Sequence, residues 1–177
     1  MLADEPGRSI EAIEPDHTDG IKRVCAAISS GSSALVLAEA GMIGDMPERL
    51  VKLYASEFAI STAIYKGSGK RFFNSIAEQL DIPTTEPRYN KDGECVGEKA
   101  MSMDVLKDEI SDNIGPNTLL IFPEAKRLTT GVRYWLEDAI SNGVKVICFA
   151  AANPGKDIFL EMLEIELELP SDKLIRE

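Results

Sequence analysis

Four short, continuous apolar runs constrain the fold of this chain more than any other sequence feature. They are residues 33–38 (SALVLA), 58–65 (FAISTAIY), 118–122 (TLLIF) and 144–150 (VKVICFA). A run of this kind is typical of a strand that is buried on both faces, as in a parallel sheet. Residues 164–169 (EIELEL) instead alternate apolar and acidic side chains. That alternation predicts a fifth strand with one face in solvent.

Segments with helical spacing of apolar residues separate these runs. Leu50 and Tyr54, and likewise Phe72 and Ile76, stand four residues apart. Strands that alternate with helices predict an α/β domain with helices on both faces of the sheet. We therefore expect a three-layer α/β/α fold with a five-stranded, mostly parallel sheet. Residues 81–100 are rich in Pro, Gly and charge, which predicts a long exposed loop.

Length and charge set the broad class of protein. The chain has 177 residues, enough for one domain of ordinary size. Its net charge of −11 argues against a large, sequence-independent grip on nucleic acid, but leaves room for a local basic patch. We expect residues 1–18 to form an acidic arm and residues 19–177 to form the core. With no apolar run near ~20 residues and no signal-peptide pattern, we expect a cytoplasmic protein without membrane contact.

The residues of common metal and nucleophile sites are sparse. Cys25, Cys95 and Cys148 are far apart and form no CxxC pair, and His17 is the one histidine. This pattern predicts no metal site. It also contains no Ser-His-Asp set and no Cys-His pair placed by sequence logic.

The loops that follow the strands are the candidate sites, because ligands bind beyond the carboxyl ends of strands in open parallel sheets. Four loops follow the apolar runs. They are residues 39–46 (EAGMIGDM), 66–70 (KGSGK), 123–128 (PEAKRL) and 151–155 (AANPG). We expect them to converge on one edge of the sheet.

The chain resembles the AAA+ class of P-loop NTPases, in particular transposition-helper and origin-recognition-type ATPases, over roughly residues 18–172. "SSALVLAEAGMIGD" resembles the first strand with its Walker A loop, "TLLIFPEAKRL" the Walker B strand, and "VKVICFAAAN" the strand that ends in a polar sensor residue. The resemblance implies a P-loop fold, ATP with Mg²⁺ as cofactor, and Glu124 as the catalytic base. The nucleotide-binding residues it implies are Glu39, Ala40, Gly41, Met42, Ile43, Gly44, Asp45 and Asn153. Such domains usually continue into a helical lid, which we expect to be absent here.

Both Walker motifs depart from the family pattern. A working Walker A loop needs G-x-x-x-x-G-K-[ST], with Lys on the β- and γ-phosphates and a hydroxyl on Mg²⁺. Gly44 falls in the position of the Lys, and Asp45 in the position of the hydroxyl. Pro123 replaces the Walker B Asp, while Glu124 is retained. Two interpretations follow: the loop binds an anion through its backbone alone, or the domain has lost nucleotide hydrolysis.

A second glycine-rich loop, "YKGSGKRFF", follows the second apolar run and offers Lys66, Lys70 and Arg71. It lacks the first glycine of a Walker A motif, because Ile64 stands there, and Arg71 replaces the Ser or Thr. It is either a strand-to-helix turn with solvated cations or an anion contact for a phosphate or a DNA backbone.

These observations predict a degenerate AAA+-like domain that does not hydrolyse nucleotide. We expect it to act as a regulator or scaffold through a protein partner or through homo-oligomers. The alternative is a DNA-associated, ATP-binding AAA+ protein with an atypical nucleotide site.

Overall fold

The computed structural model describes residues 18–151 and 162–166. Six helices and seven strands follow one another along these residues, with a 3₁₀ turn, Ala125–Arg127, before the last helix. The helices are α1 Thr18–Ser29, α2 Ala40–Ile43, α3 Met46–Tyr54, α4 Gly69–Gln79, α5 Met103–Asn113 and α6 Thr130–Ser141. The strands are β1 Ala34–Leu37, β2 Ala59–Thr62, β3 Thr85–Tyr89, β4 Cys95–Ala100, β5 Thr118–Phe122, β6 Lys145–Ala150 and β7 Leu163–Glu166.

Five strands form a parallel sheet in the order β2-β5-β6-β1-β7. Each predicted run contributes one strand, so the predicted α/β fold with a five-stranded parallel sheet is confirmed. The strand β1 lies inside the sheet, where Leu35 is in register with Cys148 on β6 and with Glu164 on β7. A continuous apolar sequence suits this position because both faces of the strand are covered.

The two faces of the sheet carry separate hydrophobic clusters. On one face Leu120 packs with residues of α4, α5 and α6, among them Phe73, Leu106 and Leu136. On the other face Leu119 and Ile121 pack with residues of α1 and α3, which are Val24, Ala27, Ile28, Met46, Leu50 and Tyr54. Fully burying one such aliphatic side chain contributes about 1.5–3 kcal/mol to folding. The result is the expected three-layer arrangement.

The prediction of a long loop over residues 81–100 is wrong. Strands β3 and β4 pair antiparallel there as a two-stranded hairpin. Its turn is held by Asn90, whose Oδ1 accepts the backbone N–H groups of Asp92 and Glu94, both at 2.9 Å. All of β4 is solvent-exposed. With no face to bury, the hairpin lacks the apolar alternation by which a strand is recognised in a sequence.

None of the helices within the described ranges is long and apolar enough to cross a membrane. The predicted acidic arm at residues 1–18 lies outside the described residues except for Thr18, where α1 begins.

Candidate functional site

The loops after the parallel strands start side by side at one edge of the sheet. The backbone N–H of Ala38, which follows β1, donates to the carbonyl of Ala150 at the end of β6, at 2.9 Å. The N–H of Ala63, after β2, donates to the carbonyl of Ile121 on β5 at 3.1 Å. The loops after β1 and β6 therefore begin next to each other, as do those after β2 and β5. Asn153, the predicted sensor, lies outside the described residues.

The loop after β1 folds into a single helical turn, α2, that begins at Ala40. The Met42 N–H donates to the Glu39 carbonyl at 2.8 Å. The Met42 side chain is buried, and Ile43 is half-buried against the cluster on the α1 and α3 face. Glu39, Gly41, Gly44 and Asp45 are exposed. The apolar side chains of this loop thus anchor it to the core, while its polar positions face solvent.

Gly44 ends α2 in a backbone conformation that favours glycine. Its φ is 48° and its ψ is −128°. Residues with a Cβ are excluded from this combination by steric contact with their own backbone, whereas glycine adopts it at little cost. In the alignment that the resemblance implies, position 44 is that of the Walker A lysine. The observed backbone therefore disfavours lysine at this place.

Glu124 follows β5 and forms an ion pair with Arg127. The Arg127 Nε lies 2.8 Å from the Glu124 Oε2, and the backbone N–H of Arg127 also donates to the Glu124 carbonyl at 3.2 Å. Both side chains are exposed, Glu124 at 46% and Arg127 at 63%. Glu124 was predicted from the sequence without this partner. The spacing of three residues in a short turn was the available signal.

The glycine-rich loop after β2 is shaped by helix capping and packing. The Ser68 Oγ accepts the Arg71 N–H at 3.4 Å and caps α4. A Cβ on Gly69 would lie 2.8 Å from the Met103 sulfur, so a side chain there would require the Met103 side chain to move. This glycine therefore permits close contact between the first turns of α4 and α5. Lys66, Lys70 and Arg71 are exposed around it, and the structure places them next to the loop after β5 rather than next to α2.

The clearest pKa shifts within the described residues belong to the core. Burial raises the pKa of the Cys148 thiol well above its ordinary range. Burial raises the pKa of Tyr54 as well, with a further rise from a hydrogen bond to Cys25. Cys148 lies in the hydrophobic cluster on the face of α4, α5 and α6, and Tyr54 lies in the cluster on the face of α1 and α3. Neither belongs to a strand-end loop.

The residues present do not fit ATP with Mg²⁺. In the alignment that the resemblance implies, Gly44 and Asp45 stand at the positions of the phosphate-binding lysine and the metal-binding hydroxyl, and Pro123 at that of the Walker B carboxylate. The loop after β1 carries Glu39 and Asp45 and no positive side chain, so its side chains offer phosphate no opposite charge. Across the described residues, no group of three or more His, Cys, Asp or Glu could hold a metal ion.

The sheet and its flanking helices can be compared with the folds of solved structures. Its five-stranded parallel sheet with helices on both sides is an α/β fold. A solved chain in the structure of Drosophila ORC bound to AT-rich DNA and Cdc6 matches with a TM-score of 0.56 and 8% sequence identity. The match covers 86% of this chain and 53% of the solved one, so the chain spans about half the length of that neighbour. At this identity the likeness concerns the fold. No protein-family model and no curated protein matches the chain.

Proposed function

We propose that this chain is an AAA+-like domain that does not hydrolyse nucleotide and acts as a regulator or scaffold through protein contacts. The observation that carries this proposal is the backbone of Gly44, with φ 48° and ψ −128°. It occupies the lysine position in a conformation suited to glycine. The loss of nucleotide hydrolysis therefore involves the backbone conformation at position 44 as well as the absence of the lysine side chain.

The neighbouring groups support the same conclusion. Asp45 supplies no hydroxyl where a Walker A Ser or Thr would bind Mg²⁺, and Pro123 cannot bind a metal through its side chain. Glu124 is the one retained member of the Walker motifs, and its carboxylate is engaged by Arg127 at 2.8 Å. Arg127 therefore occupies an oxygen of the carboxylate that would orient the water molecule.

The β3–β4 hairpin supports a role in protein contacts. Tyr89 and Val96 are 62% and 54% exposed on it. Isolated two-stranded hairpins are marginal in water, so a well-formed one with exposed aromatic and aliphatic side chains suits an interaction element. The structural neighbour was solved in a complex with AT-rich DNA and Cdc6, which also favours a role in an assembly.

Isothermal titration calorimetry with ATP and with ADP, each with and without Mg²⁺, tests the proposal. We expect no saturable heat in these titrations. In thermal unfolding with the same ligands we expect no rise in melting temperature, because only a ligand that binds the folded state would raise its stability. Tight, Mg²⁺-dependent ATP binding would overturn the proposal. The circular dichroism spectrum and the cooperative melting of the same sample control for folding.

The alternative function is that of an ATP-binding protein with an atypical site. It is favoured by the convergence of the loops after β1 and β6 and by the presence of Glu124 after β5. If ATP binds, the rate of ATP hydrolysis by the Glu124→Gln variant tests whether Glu124 is a catalytic base. A loss of turnover with retained binding would support a catalytic base, and unchanged turnover would exclude it. Lys126→Gln in the same turn is the matched control.

A further inference from the structure

The outer edge of β2 differs from the other strand edges of the described residues because it carries no charge. The strand β2 stands at one end of the order β2-β5-β6-β1-β7, and residues 58–65 (FAISTAIY) contain no charged residue, Pro or Gly. At the other end β7 contains Glu164 and Glu166, and the hairpin strands contain charged residues and Pro87. Charged residues and proline on an edge strand hinder pairing with another chain. The edge of β2 lacks this protection.

Alternate residues of β2 direct their backbone groups toward β5. The Ala59 N–H donates to the carbonyl of Asn117 at 2.9 Å, and the Ala63 N–H donates to that of Ile121 at 3.1 Å. In a sheet the backbone groups of successive residues point to opposite sides of the strand. The N–H and carbonyl groups of residues 60, 62 and 64 therefore point away from the sheet.

Gln79 occupies the middle one of these three outward positions. Its side-chain amide bonds both the N–H and the carbonyl of Thr62, so it takes the place of one residue of a neighbouring strand. The outward backbone groups of Ile60 and Ile64 have no hydrogen-bond partner in the described part of the chain. Because the Gln79 side chain is exposed, it can leave Thr62 without a movement of α4. The edge is thus closed at one residue, by a side chain that an incoming strand can displace.

We propose that the outer edge of β2 pairs with the same edge of a second copy of this chain, and that Gln79 gives way when the two copies meet. In an antiparallel pair centred on Thr62, the two Thr62 residues lie opposite each other, and Ile60 of each copy lies opposite Ile64 of the other. The outward N–H and carbonyl groups of all three residues are then bonded. Such a pair has two-fold symmetry, so it closes at a dimer.

The side chains at this edge are complementary to themselves in that register. Residues 60, 62 and 64 share one face of the strand, so the pair brings Ile against Ile and Thr against Thr, and such cross-strand contacts stabilise a sheet. Glu57 and Lys66, both exposed, are the first charged residues before and after the uncharged run. The antiparallel direction brings Glu57 of each copy to the end of the pair where the other copy has Lys66. Two copies with a net charge of −11 each therefore meet through an uncharged strand flanked by opposite charges. This inference goes beyond the proposed function, because the pairing does not depend on nucleotide binding.

Sedimentation velocity of the full chain, at concentrations from micromolar to millimolar, tests the inference. We expect the unchanged protein to pass from monomer to dimer and no further. Gln79→Ala should dimerise on the order of tenfold or more tightly, because the second copy no longer has to displace an amide. Ile64→Lys should dimerise on the order of tenfold or more weakly, because a charge on an edge strand opposes pairing. Since Ile64 is 37% exposed, this variant should remain folded.

The matched control is Val96→Lys, which introduces the same charge at an exposed aliphatic residue of the β3–β4 hairpin and should leave dimerisation unchanged. The inference is overturned if the unchanged protein stays monomeric at every concentration, if it forms species larger than a dimer, or if Ile64→Lys dimerises as tightly as the unchanged protein. Loss of the dimer in Val96→Lys would also overturn it, since the contact would then belong to the hairpin.

Disulfide cross-linking tests the register. Thr62→Cys, in a Cys95→Ser background that removes the exposed thiol, places two thiols across the two-fold axis. Directly opposed residues of an antiparallel pair have Cα atoms about 5.5 Å apart, a distance that a disulfide spans. Oxidation with diamide should therefore link the two copies. Lys66→Cys in the same background is the control, because the two positions 66 lie at opposite ends of the pair. Equal yields of linked dimer from the two variants, or none from Thr62→Cys, would overturn the inference.

Discussion

The side-chain amide of Gln79 forms two hydrogen bonds with the backbone of Thr62. Its Oε1 accepts the Thr62 N–H at 2.8 Å, and its Nε2 donates to the Thr62 carbonyl at 3.0 Å. Ser75 fixes the amide, since its carbonyl and Oγ both accept from the Gln79 Nε2, at 3.1 and 3.0 Å. Because β2 is an edge strand of the parallel sheet, Gln79 satisfies backbone groups that another strand would otherwise pair.

Replacing Gln79 by Ala should expose this edge. We expect the free energy of unfolding, measured in urea, to fall by about 1–2 kcal/mol, because the two hydrogen bonds with Thr62 are lost. We also expect concentration-dependent association in light scattering, because unpaired edges recruit other strands. Glu78→Ala, one residue earlier on α4 and exposed, should leave both measurements unchanged. A monomeric Gln79→Ala variant of full stability would contradict the role given to the amide.

Two buried serines should respond in opposite ways to removal of the hydroxyl. The Ser61 Oγ, on β2, has no hydrogen-bond partner within the described residues, although the residue is 1% exposed. Ser61→Ala should raise the free energy of unfolding by about 1 kcal/mol, because a buried, unpaired hydroxyl is unfavourable. The Ser33 Oγ accepts the Val146 N–H at 3.0 Å. Ser33→Ala should lower stability by about 1–3 kcal/mol, because it leaves a buried N–H unpaired. Equal effects of the two substitutions would be inconsistent with this account.

Two glycines of the loop after β1 should differ in their tolerance of a side chain. Gly44→Ala should destabilise the protein by about 1–3 kcal/mol, because its backbone lies outside the regions open to other residues. Gly41 lies in the helical turn of α2, and a Cβ there meets nothing within 4 Å. Gly41→Ala should therefore be neutral or slightly stabilising. Thermal unfolding of the two variants measures the difference, and equal tolerance would argue against a backbone at position 44 that requires glycine.

Stability should fall with rising pH above about 9. The thiol of Cys148 and the hydroxyl of Tyr54 both have raised pKa values in the folded protein, by burial in each case. Their stabilising contribution is complete below their unfolded pKa values, near 9.0 and 10.0, and is lost as the pH rises toward the folded values. Each group contributes a slope of up to about 1.4 kcal/mol per pH unit.

Urea unfolding between pH 8 and pH 11, reported by tryptophan fluorescence, measures this slope. Cys148→Ala should flatten it from about pH 9 upward, whatever its effect on stability at neutral pH. The exposed thiol of Cys95 provides the control, since Cys95→Ala should leave the slope unchanged. A slope that is the same in all three proteins would show that Cys148 does not contribute.

The sheet was predictable from sequence because a strand that is buried on both faces has a continuous apolar sequence. The strands β1, β5 and β6 are continuous apolar runs, and all five residues of β5 are buried. The edge strand β7 was predicted from alternation, with Ile165 buried and Glu164 exposed. The hairpin β3–β4 was missed, although Asp92-Gly93 at its turn is a known hairpin signal, because its strands bury no face.

The candidate site was predictable in position more than in detail. A parallel sheet brings its strand-end loops to one edge, so their convergence follows from the fold class, whereas the pairing of β2 with β5 depends on the strand order. The φ of Gly44 and the ion pair of Glu124 with Arg127 depend on local backbone and rotamer choices. The role of Gly69 depends on Met103, a residue far along the chain. A contact between two residues so far apart in the chain cannot be recognised in any short segment of the sequence.

The position of β1 inside the sheet has a consequence for the growing chain on the ribosome. Its neighbours β6 and β7 are synthesised long after it, and the hydrogen bond between Ser33 and Val146 spans 113 residues. Until those strands emerge, the most apolar strand of the N-terminal half has no partner on either side. Sheets with such distant pairings form slowly, and their incomplete forms tend to aggregate. A nascent chain that ends before β6 therefore lacks both native partners of β1.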